Sequence, residues 1–239
     1  MMILPYRLSN LCECGTTTTE LGNVAFQVSE NKSEVIKNRE TLSSLINIKK
    51  ERMIFVYQHH SNIINKVDEN NLHAGENDFI SGVDGDALYT YTPQLALLIF
   101  HADCVPIMFI DESIHLVGII HAGFIGTNNQ ATYHCLQTLI TNEKIDPKNI
   151  KAVIGPCRRK NDYLVNDEEK EIIVRTKNEK YLSAGYFDMV KANIEQLLKC
   201  GVLETNIIDS EINTVKDDRF FSVHKKSQTG RLASYIYLK

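Results

Sequence analysis

Two uninterrupted apolar runs do most to limit what this chain can become. Leu97-Leu98-Ile99-Phe100 leads into His101-Ala102-Asp103-Cys104, and Leu116-Val117-Gly118-Ile119-Ile120 leads into His121-Ala122-Gly123. Side chains of a strand alternate between its two faces, so a run without polar residues asks for apolar cover on both. A half-exposed strand or an amphipathic helix would show a polar side. Buried strands of this kind deliver their polar end residues to one rim, where a ligand crevice usually forms. Here the rim receives a thiol and imidazoles together. A single His or Cys is more often a satisfied core residue, but a group of them at strand ends points to a site.

The rest of the chain organises around this block. At 239 residues it can bury a substantial core, and with no linker or internal repeat it reads as one domain over 1–239. The expected class is α/β. Residues 31–46, with Val35, Ile36, Leu42, Leu45 and Ile46, read as a helix. Met53–Tyr57 reads as a strand ending at Gln58-His59-His60-Ser61, which brings a third imidazole to a strand exit. The polar, glycine-bearing stretch 70–86 reads as a lid-like excursion, followed by a strand over 87–91. Three strands are expected within 94–120, a helix over 128–141, and a short strand at 151–154 that ends at Gly155-Pro156-Cys157. A helix over 188–200 is capped by Gly201, and Leu232–Leu238 closes the fold as a strand. Cys135 and Cys200 fall on apolar helix faces and are assigned to packing.

Composition removes several function classes. With 26 Lys+Arg against 30 Asp+Glu the net charge is −4, which favours a small or neutral substrate over nucleic acid or anionic lipid. No stretch of eighteen apolar residues offers a membrane span, and the start lacks a secretory pattern, so a cytoplasmic setting is expected. In that setting the six cysteines are thiols. Neither a Walker loop nor a G-x-G-x-x-G fingerprint is present. Cys thiolate and neutral His are good zinc ligands, and three protein ligands leave a fourth position open for chemistry. His60, Cys104 and His121 are the candidate set. The same residues also permit a Cys104 nucleophile with His121 as its base.

Six segments occur in the order of one known family. They are Gln58-His59-His60-Ser61, Gly85-Asp86-Ala87-Leu88-Tyr89-Thr90, His101-Ala-Asp-Cys104-Val-Pro-Ile, His121-Ala-Gly-Phe-Ile-Gly-Thr127, Ile154-Gly-Pro-Cys157 and Thr229-Gly-Arg-Leu-Ala-Ser234. By them the chain resembles the laccase-domain (multicopper polyphenol oxidase, YfiH-like) family, now regarded as purine nucleoside phosphorylases. The resemblance implies a mixed β-sandwich flanked by helices and makes His60, Cys104 and His121 the zinc ligands. His59, two positions before Ser61, is a neighbour or rival of His60.

The implied chemistry is phosphorolysis of adenosine, inosine and methylthioadenosine, together with deamination of adenosine. Purine nucleosides and phosphate are then the small-molecule partners. Asp103 becomes a candidate proton carrier, or else an Asp that orients a loop through backbone amides. His101 takes a supporting or substrate-facing role, and Gln58 and Cys157 join the substrate candidates. An anion site is expected on the Lys225–Arg231 turn, where Arg231 can bind phosphate bidentately, with Gly155–Arg159 as a second basic rim.

The chain departs from the family in two places. Phe124-Ile125 stands where relatives have Trp-Arg, removing a guanidinium, and Leu11-Cys-Glu-Cys-Gly-Thr-Thr replaces the usual Ser/Thr-Arg-x-Gly-Gly pattern. Three other functions compete. They are a copper-dependent phenol oxidase, a cysteine hydrolase or amidase that edits peptidoglycan precursors, and a diverged metal-binding domain without turnover.

Overall fold

The computed structural model describes residues 1–239 and stacks two mixed six-stranded sheets between helical layers. The first sheet runs in the order β1 (Ile3–Tyr6), β2 (Cys12–Thr17), β14 (Leu232–Leu238), β7 (Ala96–His101), β3 (Met53–Tyr57) and β5 (Val83–Asp84). The second runs β13 (Ile207–Asp209), β10 (Ile150–Ile154), β8 (Val105–Asp111), β9 (Leu116–Ala122), β6 (Ala87–Thr90) and β4 (Ile64–Lys66). A small hairpin pairs β11 (Leu182–Ser183) with β12 (Tyr186–Phe187). The helices are α1 (Lys32–Ile46), α2 (Phe124–Asn128), α3 (Ala131–Asn142), α4 (Asp167–Arg175) and α5 (Met189–Cys200).

The apolar runs are shared between three cores. Leu97 and Ile99 of β7 turn inward with Ile54 and Val56, meeting Met108, Ile110, Val117 and Ile119 of the other sheet. Leu98 and Phe100 turn outward with Met53 and Phe55 and pack under Leu42 and Ile46 of α1. On the far side, Ile107, Phe109, Leu116 and Ile120 pack against Leu136 and Leu139 of α3 and Leu197 of α5. Every residue of β7, β8 and β9 is buried, and polar side chains occur in them only near the strand ends, at His101, Asp111 and His121. Each such aliphatic side chain contributes about 1.5–3 kcal/mol on burial. Gly118 interrupts the β9 run for a local reason: its pair Phe109 lays its ring across the gap, and a Cβ there would fall 2.1 Å from Phe109 Cζ.

Several expectations are refined. In α1 only Val35, Leu42 and Ile46 of the apolar set are buried, while Ile36 and Leu45 are exposed. The helix expected over 128–141 starts later, as α3, and is preceded by the separate short helix α2, with Gln130 between them at a left-handed φ of 56°. Cys135 and Cys200 lie in the core, and Gly201 caps α5 with a φ of 101°. Helix α4 was not anticipated, although Asn166 and Glu169 form a capping box. The 70–86 excursion is anchored rather than lid-like. Buried Arg39 donates to the Gly75 and Glu76 carbonyls, and Phe55 N–H donates to Ala74 at 3.1 Å. No helix is long and apolar enough to cross a membrane.

Candidate metal centre

Three chain exits converge at one end of the sandwich. His121 closes β9, Cys104 sits in the tight turn between β7 and β8, and His60 follows β3. The β8–β9 register pairs Val105 with Ala122, which sets Cys104 beside Gly123. A Cβ on Gly123 would lie 2.7 Å from His60 Cδ2 and 3.1 Å from Cys104 Sγ, so the cradle is shaped by the absence of a side chain. The ligand atoms of His60, Cys104 and His121 all lie within 4.8 Å of one another.

Asp86, buried at the head of β6, organises two of the three. Its carboxylate accepts from His121 Nδ1 at 2.8 Å, which leaves Nε2 for a metal. The same carboxylate accepts the backbone N–H of His59, His60 and Ser61 at 3.2, 3.1 and 2.6 Å, and the Ser61 hydroxyl at 2.9 Å. These bonds hold the loop that places His60 in a left-handed conformation, φ 64°. Burial pushes the Asp86 carboxyl up, but the His121 bond and charge and the Ser61 donors overcome it and hold it down at about 2. Sequence reading quoted Gly85-Asp86 and gave it no role. An acid beside a glycine at a strand start was the available signal.

The donor set suits a borderline-soft divalent ion. Burial raises the Cys104 thiol, but the charge and hydrogen bond of His121 and the approach of His60 outweigh that and favour thiolate. His121 moves the opposite way: burial lowers it, while Cys104 and Asp86 raise it further. One thiolate and two imidazoles, one of them oriented by a carboxylate, match a zinc site with an open fourth position.

A crevice of about 630 Å³ opens over this centre. Its wall includes Gln58, His101, Asp103, Arg231 and, from the second basic rim, Arg158 among the expected residues, and Phe124, Ile125, Tyr163 and His224 besides. Gln58 is engaged with β7: its amide donates to the Phe100 carbonyl at 2.8 Å and accepts the Phe100 N–H at 2.5 Å. Both oxygens of Asp103 are occupied, by Thr214 Oγ1 at 2.6 Å and His224 N–H at 2.8 Å. Arg231 Nη1 donates to the carbonyls of Thr229 and Gly230 at 3.0 and 3.2 Å. Cys157 is fully buried and lies outside the crevice wall. His59 points away and pairs with Asp84 at 3.0 Å.

His101 is the anomaly of the wall. Its Nδ1 is the one buried side-chain nitrogen or oxygen in the molecule without a partner. A chain of hydroxyls explains which nitrogen carries the proton. Tyr6 donates to Thr16 Oγ1 at 3.0 Å, Thr16 stands 2.7 Å from Ser234 Oγ, and Ser234 stands 2.8 Å from His101 Nε2. If each hydroxyl donates onward, every link is used and Nε2 accepts, leaving an Nδ1–H. With the Tyr6 bond kept, reversing the other two links would strand the Thr16 proton as well. Burial and the charges of His121 and Arg231 keep the ring neutral, lowering it to about 3.

A thiol and two imidazoles at the floor of a crevice between two packed sheets define a four-layer α/β protein built around a three-donor centre. The chain belongs to the multi-copper polyphenol oxidoreductase laccase family, whose family model matches residues 14–239. It is 34% identical over 244 residues to Purine nucleoside phosphorylase SSP1584 of Staphylococcus saprophyticus, covering 93% of this chain and 90% of that one. The solved structure of YlmD from Geobacillus stearothermophilus superposes with a TM-score of 0.91 at 30% identity, over 98% of this chain and 94% of that one. The hypothetical protein YfiH of Bacillus licheniformis gives 0.93 at 28% identity, over 100% and 97%.

Proposed function

We propose that this protein is a zinc-dependent purine nucleoside phosphorylase acting on adenosine, inosine and methylthioadenosine, with adenosine deamination as a second activity. The observation that carries the reading is the meeting of His60, Cys104 and His121 on the floor of a crevice large enough for a small-molecule ligand. The names of relatives that span nearly the whole chain support the substrate class.

In phosphorolysis a phosphate oxygen forms a bond to the ribose C1′ while the C1′–N9 bond breaks and its electron pair leaves with the base. Bound zinc would supply Lewis-acid polarisation and activation of water. The chain's own residues do the rest. Phe124, backed by Tyr163, lines the crevice wall and offers an apolar surface for a purine. His101 presents its neutral Nδ1–H to an acceptor on the substrate, where a donor stabilises charge growing on the departing base. Arg231 contributes positive charge near the centre. Asp103 acts as a positioning residue through the Thr214 and His224 bonds, with Gln58 bracing the β7 end of the wall.

The test is release of hypoxanthine from inosine by zinc-loaded protein, with and without phosphate. Equimolar ribose 1-phosphate and hypoxanthine are expected only with phosphate, and His121→Ala should lose both while keeping its circular-dichroism spectrum. Wild-type protein that releases no base overturns the reading. Turnover that survives chelation points instead to Cys104 as a hydrolytic nucleophile. Copper-dependent oxygen uptake with a phenol would restore the oxidase alternative, although His60, Cys104 and His121 form the one cluster of three metal-binding side chains in the chain.

A further inference from the structure

Purine nucleosides carry no anionic group, so on the phosphorylase reading the crevice needs one cationic site, for phosphate. Two arginines line it, Arg158 and Arg231, and their chain neighbours Arg159 and Lys225 are spent on acids. Arg159 is paired with Asp209 through two bonds of 2.7 and 2.6 Å and Lys225 with Asp218 at 2.6 Å, while Arg231 gives Nη1 to the carbonyls of its own turn and keeps only Nη2 of the pair free. Arg158 is different. Its Nε donates to the Asp162 carbonyl at 2.7 Å, and neither Nη has an acceptor in the protein. Its guanidinium carbon lies 4.0 Å over the Tyr163 ring, which stacks on Phe124 at 5.9 Å with an interplanar angle of 24°. Its backbone N–H donates to the Asp103 carbonyl at 2.9 Å, which ties it to the turn carrying Cys104.

We propose that Arg158 is the principal phosphate anchor of the crevice. The two Nη groups form a fork that matches two oxygens of a phosphate, and the Nε bond and the Tyr163 face fix the fork before the ligand arrives. Asp103 acts on this site without touching the ligand. Its carbonyl holds Arg158 and its carboxylate holds the His224 backbone, so one residue fixes two basic arms of the wall. The inference rests on the phosphorylase reading.

The experiment is steady-state phosphorolysis of inosine by zinc-loaded enzyme, varying phosphate at saturating inosine. In Arg158→Met the KM for phosphate is expected to rise about 30-fold, as for loss of a bidentate charge-assisted pair, with the KM for inosine changed less than about twofold. Arg158→Lys, which keeps charge and loses the fork, should fall between. Arg231→Met should move the phosphate KM less than Arg158→Met does. Calorimetric titration of inorganic phosphate alone into each zinc-loaded protein gives a readout independent of turnover, and Arg158→Met should bind it at least about tenfold more weakly. A wild-type phosphate KM in a folded, active Arg158→Met protein overturns the proposal while leaving the phosphorylase reading standing. A wild-type protein that neither releases base nor binds phosphate overturns both.

Discussion

The two ends of strand β14 make a controlled comparison. Leu232 pairs with His101 at the metal-centre end, and Leu238 pairs with Cys12 at the other, roughly 20 Å away along the strand. Each end has a cavity, about 630 Å³ at the first and about 560 Å³ at the second, and each cavity has cysteine in its wall. The groups that face those thiols differ. Cys104 faces two imidazoles, one of them held by Asp86, and is driven toward thiolate. Cys12 and Cys14 pack with Leu8, Ile236 and Leu238, and their mutual contact, with no imidazole near, lowers the Cys12 thiol while it and burial push the Cys14 thiol far above its ordinary range. Two of the three cations there are paired, Lys151 with Glu112 and Lys239 with Glu13, and Arg7 is the third. Cavity and sulfur are common to both ends, so the buried carboxylate–imidazole pair is what separates a site from a packed corner.

The largest effects should come from the donors themselves. Cys104→Ser and His121→Ala are expected to abolish stoichiometric zinc and to lower phosphorolysis by on the order of 10³-fold, measured by elemental analysis and initial rates. Retained turnover in a zinc-free Cys104→Ser protein would break the comparison, because the sulfur would then matter as little at this end as at the other. Asp86→Asn should be milder and of a different kind. One amide oxygen must replace a carboxylate that accepts from His121 and from the 59–61 loop, so zinc affinity should fall about 10–100-fold. Excess zinc should then restore much of the Asp86→Asn activity and none of the Cys104→Ser activity. Equal recovery in the two variants would show that Asp86 does not work through metal retention.

His101 supplies a finer test, since two substitutions separate its nitrogens. The amide nitrogen of Asn falls near the imidazole Nδ1, and that of Gln near Nε2. If the unpartnered Nδ1–H serves the substrate, His101→Asn should stay within about threefold of wild type and His101→Gln should lose about tenfold in kcat. The opposite order would assign His101 to bracing Ser234. Nitrogen-15 spectra should place the proton on Nδ1 in the resting protein and shift that signal when substrate binds. A proton on Nε2 would reverse the assigned direction of the Tyr6–Thr16–Ser234 chain.

Much of this contrast was legible in the sequence, and the missing parts share a cause. The runs ending at His101 and His121 announced strands covered on both faces, because a four-layer stack leaves no solvent side to β7, β8 or β9. The motifs around His60, Cys104 and His121 announced three side chains that the fold brings together. Asp86 received no role because its importance lies in a partner distant in sequence, His121, 35 positions away, and Arg158 was legible only as part of the Gly155–Arg159 basic rim. Arg158 and Arg159 are alike in type, yet one finds Asp209 and the other a tyrosine face. Cys157 misled for the converse reason. Its strand exit resembles that of Cys104, but the side chain turns into the helical core, out of the crevice wall.

The smallest effect on activity is expected at the far end, in Cys14→Ala. The thiol is buried among Leu8, Ile236 and Cys12, so its loss should cost about 1 kcal/mol of stability, read as a lower denaturant midpoint with an unchanged slope. Turnover should stay within about twofold, because sites this far apart with no shared partner act independently. One connection gives the prediction its edge. Cys14 Sγ lies 3.7 Å from the Tyr6 carbonyl, and the Tyr6 hydroxyl begins the chain that ends on His101 Nε2. A tenfold fall in kcat for Cys14→Ala, suppressed when His101 is already Asn, would mean that the far cavity sets the His101 tautomer. The two ends would then be one functional unit rather than a site and its control.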